Sequence, residues 1–183
     1  MAKYRSIHTK IWKDNFMDDL DSTEKLAWLF ILTNPESTQV GITRLRPKDL
    51  GYYIGLNESQ CRLLIERFQD HGKILYDNET NELAILNWGK YNYSKSPKVL
   101  SCIERELKEV KSYKLVKAMQ EVCMEEGIKK ALLTRQRQLI YRINNPNFRG
   151  DLGIVSEQCR DSAATVGRQS GDSEPSQVAE NEV

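Results

Sequence analysis

Apolar residues return at helical spacing from Leu26 onward, with Leu26, Leu29, Phe30 and Thr33 on one stripe and Trp28 and Ile31 widening it, which predicts a largely buried helix. Asp21 stands before it as a cap, and Glu24 three residues later completes a capping-box-like pattern. The helix is expected to stop at Asn34 and Pro35, because the proline ring keeps the preceding residue out of the helical region. Beyond a polar loop the pattern changes. Residues 40–45 (VGITRL) alternate as a strand does, and Pro47 opens a short helix through Tyr53 that Gly55 ends. Asn57 caps a third helix, in which Cys61, Leu64, Ile65 and Phe68 form one apolar stripe up to Gly72. Two short apolar runs, Ile74 to Tyr76 and Leu83 to Leu86, flank a polar turn over residues 77–82 and read as a β-hairpin. Helix, strand, helix, helix, hairpin is the order of a winged helix.

The segment after the hairpin, from Trp88 to Lys95, reads as a connection, and Ser96 with Pro97 forms an N-cap and first-turn pair. The helix it opens carries Leu100, Ile103, Leu107 and Val110 over two heptads, too few for a coiled coil, so packing against the winged helix is expected. The pattern resumes through Tyr113, Val116, Met119 and Cys123 to an expected stop at Gly127. A last helix, Lys129 to Ile143, is predicted to bury Leu132, Leu133, Leu139, Ile140 and Ile143. From Gly150 the composition turns to Ser, Gln, Gly, Glu and Asp, with no aromatic residue after Phe148; such a segment buries too little apolar surface to offset its ordering entropy. The expected fold is therefore mainly α with a small β-hairpin. It comprises a winged helix-turn-helix domain with an N-terminal arm (residues 1–95), accessory helices with a basic face (96–149) and an acidic, polar, disordered tail (150–183).

Composition narrows the classes of function. No run approaches the roughly 18 apolar residues of a spanning helix, and no apolar stretch follows the basic residues at the N-terminus, so a cytoplasmic protein without a membrane partner is expected. The four cysteines form no CxxC pair, which argues against a disulfide framework or a zinc module. His8 and His71 are the only histidines and no GxxxxGKS loop occurs; no enzyme, cofactor or metal is expected. The net charge of +1 conceals an asymmetry: residues 1–150 hold 25 Lys and Arg against 19 Asp and Glu, and residues 151–183 hold 2 against 7. A basic body suits a polyanion partner.

In a winged helix the third helix usually enters the major groove of DNA. Its solvent face here offers Ser59, Gln60, Arg62 and Arg67, with Glu66 and Asp70 towards the C-terminal end. Base reading is therefore expected from the N-terminal half, through Gln60 and Arg62. The wing carries Asp77, Glu79 and Glu82 and no cation, a poor match for phosphates. Arg44, Arg46 and Lys48, around the start of the second helix, are better phosphate candidates. The most lopsided stretch is Lys129 to Arg149, where Lys129, Lys130, Arg135, Arg137, Arg142 and Arg149 occur without an acid. Arg135, Gln138 and Arg142 share one helical stripe, predicted to face solvent and DNA. Tyr91 and Tyr93, interleaved with Lys90 and Lys95, are candidates for stacking on bases of melted DNA. Tyr4, Ile7, Ile11, Trp12 and Phe16 read as an arm laid over the domain or over a second subunit.

The segment KYRSIHTKIWKD (Lys3 to Asp14), followed by Asp19-Leu-Asp, Lys25-Leu, Leu32-Thr-Asn-Pro, Val40-Gly-Ile, Leu83-Ala-Ile-Leu-Asn-Trp and Ser96-Pro-Lys-Val, resembles the N-terminal domain of phage replisome organisers. These are replication initiation proteins of phages and prophages of low-GC Gram-positive hosts, DnaD-like in architecture. The likeness runs to about residue 112, about three-fifths of the chain. It implies a winged helix that recognises double-stranded origin DNA, forms a homo-oligomer, and nucleates assembly of replication proteins by bringing in a host helicase or its loader. It implies no active site. Family members often continue into a second, partner-binding domain, where this chain has helices and a polar tail. A winged-helix oligomerisation module and a phage transcriptional repressor remain as alternatives.

Overall fold

The computed structural model describes residues 5–93, 96–148 and 150. The tail expected from Gly150 on, Cys159 within it, Arg149 and Tyr4 of the arm lie outside these, Gly150 itself excepted. All the elements named below belong to one unit, Met1–Arg149.

A 3-10 turn (Thr9–Lys13) and a one-turn helix α1 (Asn15–Asp18) lead into α2 (Ser22–Thr33), β1 (Ile42–Arg44), α3 (Pro47–Ile54), α4 (Glu58–Asp70), β2 (Ile74–Asp77) and β3 (Glu82–Ile85). A short α5 (Gly89–Asn92) falls in the segment expected to be a plain connection, and α6 (Pro97–Leu107), α7 (Tyr113–Val122) and α8 (Glu126–Asn144) follow. The hairpin acquires a third strand: the antiparallel sheet has the order β1-β3-β2, with Ile42 opposite Ala84 and Ile74 opposite Ile85. A mainly helical chain with this small sheet is the winged-helix arrangement that the element order predicts.

Two helices start where local chemistry dictates. In α2 the Glu24 N–H donates to Asp21 Oδ1 at 2.8 Å and the Asp21 N–H to Glu24 Oε2 at 2.9 Å. In α4 Asn57 and Gln60 do the same at 2.9 and 3.0 Å. These reciprocal bonds satisfy N–H groups that a helix start leaves without intrahelical partners. The α4 stripe of Cys61, Leu64, Ile65 and Phe68 is buried as expected.

The inward face of α2 differs from the expected one. Ala27, Trp28 and Ile31 are buried, and Leu26 is half exposed. The reason lies upstream. Phe16, brought in by α1, meets Trp28 and Phe68 edge-to-face, with the three ring centroids 5.4 to 5.7 Å apart, a geometry favoured by the ring quadrupoles. That cluster turns α2 so that Trp28 points in.

A second close fit joins β1 to the end of the sheet. Gly41 has φ +83°, and a Cβ there would lie 2.4 Å from Trp88 Cγ. Trp88 is thereby laid against the backbone, and its indole N–H donates to the Gln39 carbonyl at 2.9 Å.

Helices α6 to α8 share one core with the winged helix: Ile103, Leu107, Leu115, Val116, Leu132 and Leu139 are buried in the same cluster as Phe68 and Leu83. Polar ties cross between the two parts. The Gln39 N–H donates to Glu106 at 2.6 Å, and Lys114 Nζ donates to the Tyr76 carbonyl at 3.2 Å. Glu82, expected as one of three wing acids in solvent, is buried, and its carboxylate accepts the N–H groups of Lys111 and Ser112 at the start of α7.

Gly127 does not end a helix. The chain turns extended at Cys123 and Glu125, and Gly127 sits in the first turn of α8. Its missing side chain lets Leu100 of α6 come close, since a Cβ there would meet Leu100 Cδ2 at 3.3 Å. Further along α8, Ile140 and Ile143, expected inside, are exposed, and Leu133 is half-buried. No helix among the described residues is long and apolar enough to cross a membrane.

Candidate nucleic-acid interface

The outer face of α4 presents Ser59, Gln60, Arg62, Leu63, Glu66 and Arg67 to solvent. Gln60 and Arg62 at its start have intramolecular roles. Gln60 closes the capping box through Oε1, and Arg62 pairs with Glu58 at 2.6 Å one turn back. Arg67 bridges to Glu24 of α2 and donates to the Asp19 carbonyl at 2.9 Å. The Arg62–Glu58 pair is half exposed, so it contributes only about 0.2–1 kcal/mol and can exchange for a phosphate.

Arg44 lies exposed at the end of β1, and Arg46 and Lys48 lie exposed at the start of α3. Arg46 grips Asp49 through two bonds of 2.7 Å. That hydrogen bond holds the Asp49 carboxyl below its usual range, with Arg44 adding to the effect. The Tyr76 hydroxyl donates at 3.1 Å to the carbonyl of Leu45, between Arg44 and Arg46, and its titration feels the Arg62 charge. One buried phenol thus ties β2 to the segment that leads from β1 into α3. Burial, above all, raises its pKa. Arg44, Arg46 and Lys48 about the start of α3, and Arg62 on α4, are exposed, with Asp49 and Glu58 as the paired counter-charges of Arg46 and Arg62. Sequence reasoning proposed the two groups separately; the helices that carry them, α3 and α4, pack against each other.

The stripe of Arg135, Gln138 and Arg142 requires a correction. The three do share a helical face, but that face points inward: Arg135 is 5% and Gln138 7% exposed. Arg135 donates from Nε and Nη2 to the Val110 carbonyl at 3.1 and 2.6 Å, and from Nη1 to Gln138 at 3.3 Å. It therefore stitches α8 to the loop between α6 and α7, and neither it nor Gln138 can reach DNA in this arrangement. Arg142, one turn further on, lies where α8 has passed the body and is exposed. Besides Arg142, Lys130 and Arg137 face solvent along α8, two turns apart on one face, with Lys129 half-buried beside them.

Of the two tyrosines proposed for stacking, only Tyr91 offers an open ring, at 65% exposure. Tyr93 is turned in, where its hydroxyl donates to the Val40 carbonyl at 3.3 Å and burial pushes its pKa well above the ordinary phenol range. The arm lies over this chain's own domain: Phe16 is in the core, and Lys73 Nζ binds Asp14 at 2.9 Å while sitting 4.6 Å from the Phe16 ring centre. Trp12 remains exposed.

Buried Cys61 and Cys123 have thiols pushed up by burial, the state of small apolar core residues. The inward Arg135 and the capping role of Glu82 were missed because both depend on carbonyl or N–H groups distant in sequence. Comparison of the chain with protein-family models, with curated proteins and with solved structures finds no match.

Proposed function

We propose that the chain is a DNA-binding replication initiation protein, a replisome organiser of phage or prophage type. In this reading the α3–α4 face engages double-stranded origin DNA and the assembled protein nucleates binding of other replication proteins. The observation that supports DNA binding is the exposure of Arg44, Arg46 and Lys48 about the start of α3 and of Arg62 in the N-terminal half of the adjoining α4, the part of a winged helix that meets base edges. The replication role rests on the resemblance of the arm and the separated motifs to that family. The reading implies a cytoplasmic location and no catalytic role. Lys130 and Arg137 on α8 supply a further cationic strip.

The test has two parts. Fluorescence anisotropy with duplex DNA at a series of salt concentrations should show affinity falling as salt rises, because phosphate contacts release counterions. The slope should shrink in an Arg46→Ala/Lys48→Ala variant. Footprinting on the parent phage genome should then protect a site in or beside a replication gene; protection at a promoter alone would favour the repressor. Absence of any salt-sensitive binding would sink both.

A second reading, a module for self-association, has its own support. Phe30 and Tyr53 stack with centroids 4.5 Å apart, Tyr52 beside them is 84% exposed, and Leu26 adds to the apolar surface. Sedimentation at several concentrations, with and without DNA, separates the two.

A further inference from the structure

Helix α8 carries two apolar stripes. The inner one, with Ile128, Leu132 and Leu139, is buried in the common core. A second runs along the outer side, where Lys129, Leu133, Gln136, Ile140 and Ile143 recur at alternating four- and three-residue spacing, which keeps them on one side of the helix. Leu133 is half-buried, Ile140 is 40% exposed and Ile143 66%. A helix that is apolar on two sides ordinarily has neighbours on both. Here α7 touches the edge of the second side, where the Gln136 amide N–H donates to the Tyr113 hydroxyl at 3.3 Å, and Ile140 and Ile143 stay uncovered. Towards the start of α8 the stripe opens into a groove of about 480 Å³, lined by Gln120 of α7 and by Gly127, Lys129, Lys130 and Leu133.

Charge around this seam has one sign. The acids near it, Glu121, Glu125 and Glu126, stand at the turn that joins α7 to α8, and from Gly127 to Phe148 there is none. Lys130 and Arg137 are exposed along one flank. On the α7 side Lys117, between Tyr113 and Gln120 on the same side of that helix, is exposed as well.

Apolar surface rimmed by charge marks an interaction site, and helix-in-groove recognition uses anchors at this three- and four-residue spacing. A second copy of the face would set cations against cations. A duplex would satisfy Lys130 and Arg137 but leave Ile140 and Ile143 without a counterpart. An acidic amphipathic helix answers both, with its apolar stripe on the seam and its carboxylates on the flanks.

We propose that the outer seam of α8, with α7 beside it, docks an acidic amphipathic helix of a partner protein. The partner's apolar stripe lies on Leu133, Ile140 and Ile143, and its carboxylates turn towards Lys130, Arg137 and Lys117. The site does not depend on the α3–α4 face, so either can fail alone.

The test is calorimetric titration of the full chain with synthetic peptides of about 14 residues. One is built of glutamate and leucine, with leucine at alternating three- and four-residue spacing. A second holds the same residues in an order without that period, and a third has lysine for every glutamate of the first. The first should bind about tenfold or more tightly than either control. An Ile140→Ser/Ile143→Ser variant should weaken it by about fivefold to tenfold, and a Lys130→Gln/Arg137→Gln variant by about threefold to fivefold, with a shallower dependence on salt. All four positions are exposed, and unchanged near-ultraviolet circular dichroism will verify the fold. Ile143→Ser alone, at the more exposed isoleucine, should still weaken binding about twofold or more. Duplex binding by the Ile140→Ser/Ile143→Ser variant should match the parent; a parent that binds no duplex sinks the other reading alone. The proposal is overturned if the first peptide does not bind, if either control binds as well, or if the serine variants bind it like the parent. Loss of duplex binding in the double serine variant would assign the face to DNA. Sedimentation that depends on concentration in the parent but not in that variant would assign it to a second copy, and either result overturns the proposal as well.

Discussion

The Glu82 carboxylate accepts the Ser112 N–H at 2.7 Å, across 30 residues of sequence, and takes the Lys111 N–H at 3.0 Å as well. A side chain of the wing is thus the cap of a helix that lies outside the winged helix. Ser112 meanwhile caps the same turn from within, its hydroxyl oxygen accepting the Leu115 N–H at 3.2 Å.

Replacing Glu82 with Ala should leave buried N–H groups without an acceptor and lower stability by about 2–3 kcal/mol. Glu82→Gln keeps one acceptor oxygen and should lose less. Urea denaturation of the two variants beside the parent measures the difference; equal and negligible effects would mean that water replaces the carboxylate.

Gly41→Ala should be one of the most damaging single-methyl additions in the chain. It combines a left-handed backbone conformation with a direct clash on the Trp88 ring, and strain and overpacking together should cost on the order of 3 kcal/mol. Thermal unfolding, monitored by tryptophan fluorescence, checks it.

Arg135 and Arg137 sit two positions apart and should behave oppositely. Arg135→Ala removes a buried guanidinium and strands the Val110 carbonyl, so a stability loss of about 3 kcal/mol is expected. Arg137→Ala should stay within about 0.5 kcal/mol of the parent. On the proposed function it should also weaken duplex binding and reduce the salt slope by about 1. Paired denaturation and anisotropy measurements read both.

The Asp14–Lys73 contact gives a pH dependence of known sign. The Lys73 hydrogen bond lowers the Asp14 carboxyl below its ordinary value of 3.8. A group depressed on folding adds stability above the unfolded pKa and loses it as pH falls through the folded one. Asp14→Asn retains an oxygen to cap the Phe16 N–H, so it isolates the charge. Parent and variant should differ by about 0.2–1 kcal/mol at pH 6, because the pair is partly exposed. The gap should close progressively below about pH 4. Melting curves from pH 2.5 to pH 7 test it.

What could be read in the sequence was what is encoded within a turn or two. Asp21 with Glu24, Asn57 with Gln60, and the α4 stripe are local patterns, and each was legible. The orientation of α2 was not, because it depends on Phe16 arriving from another helix to join Trp28 and Phe68. Gly127 was misread because a glycine that ends a helix and one that admits a neighbour look alike until Leu100 is in place. The α8 stripe shows the same limit at the candidate site. Spacing put Arg135, Gln138 and Arg142 on one face, but only the Val110 carbonyl, 25 residues earlier, decides that this face is inside. The exposed cations around α3 and α4 were legible because turn chemistry and helix periodicity already placed them outside.

The capping of α7 by Glu82 bears on where the chain can be cut. A fragment ending at residue 95 would keep every strand and helix of the winged helix, yet it would open the Glu82 carboxylate to water and uncover the apolar surface that Ile103, Leu115 and Val116 share with it. A winged helix held in this way is not a detachable cassette. The unit that recombination could move intact between proteins, or that an experimenter could express alone, extends to the end of α8.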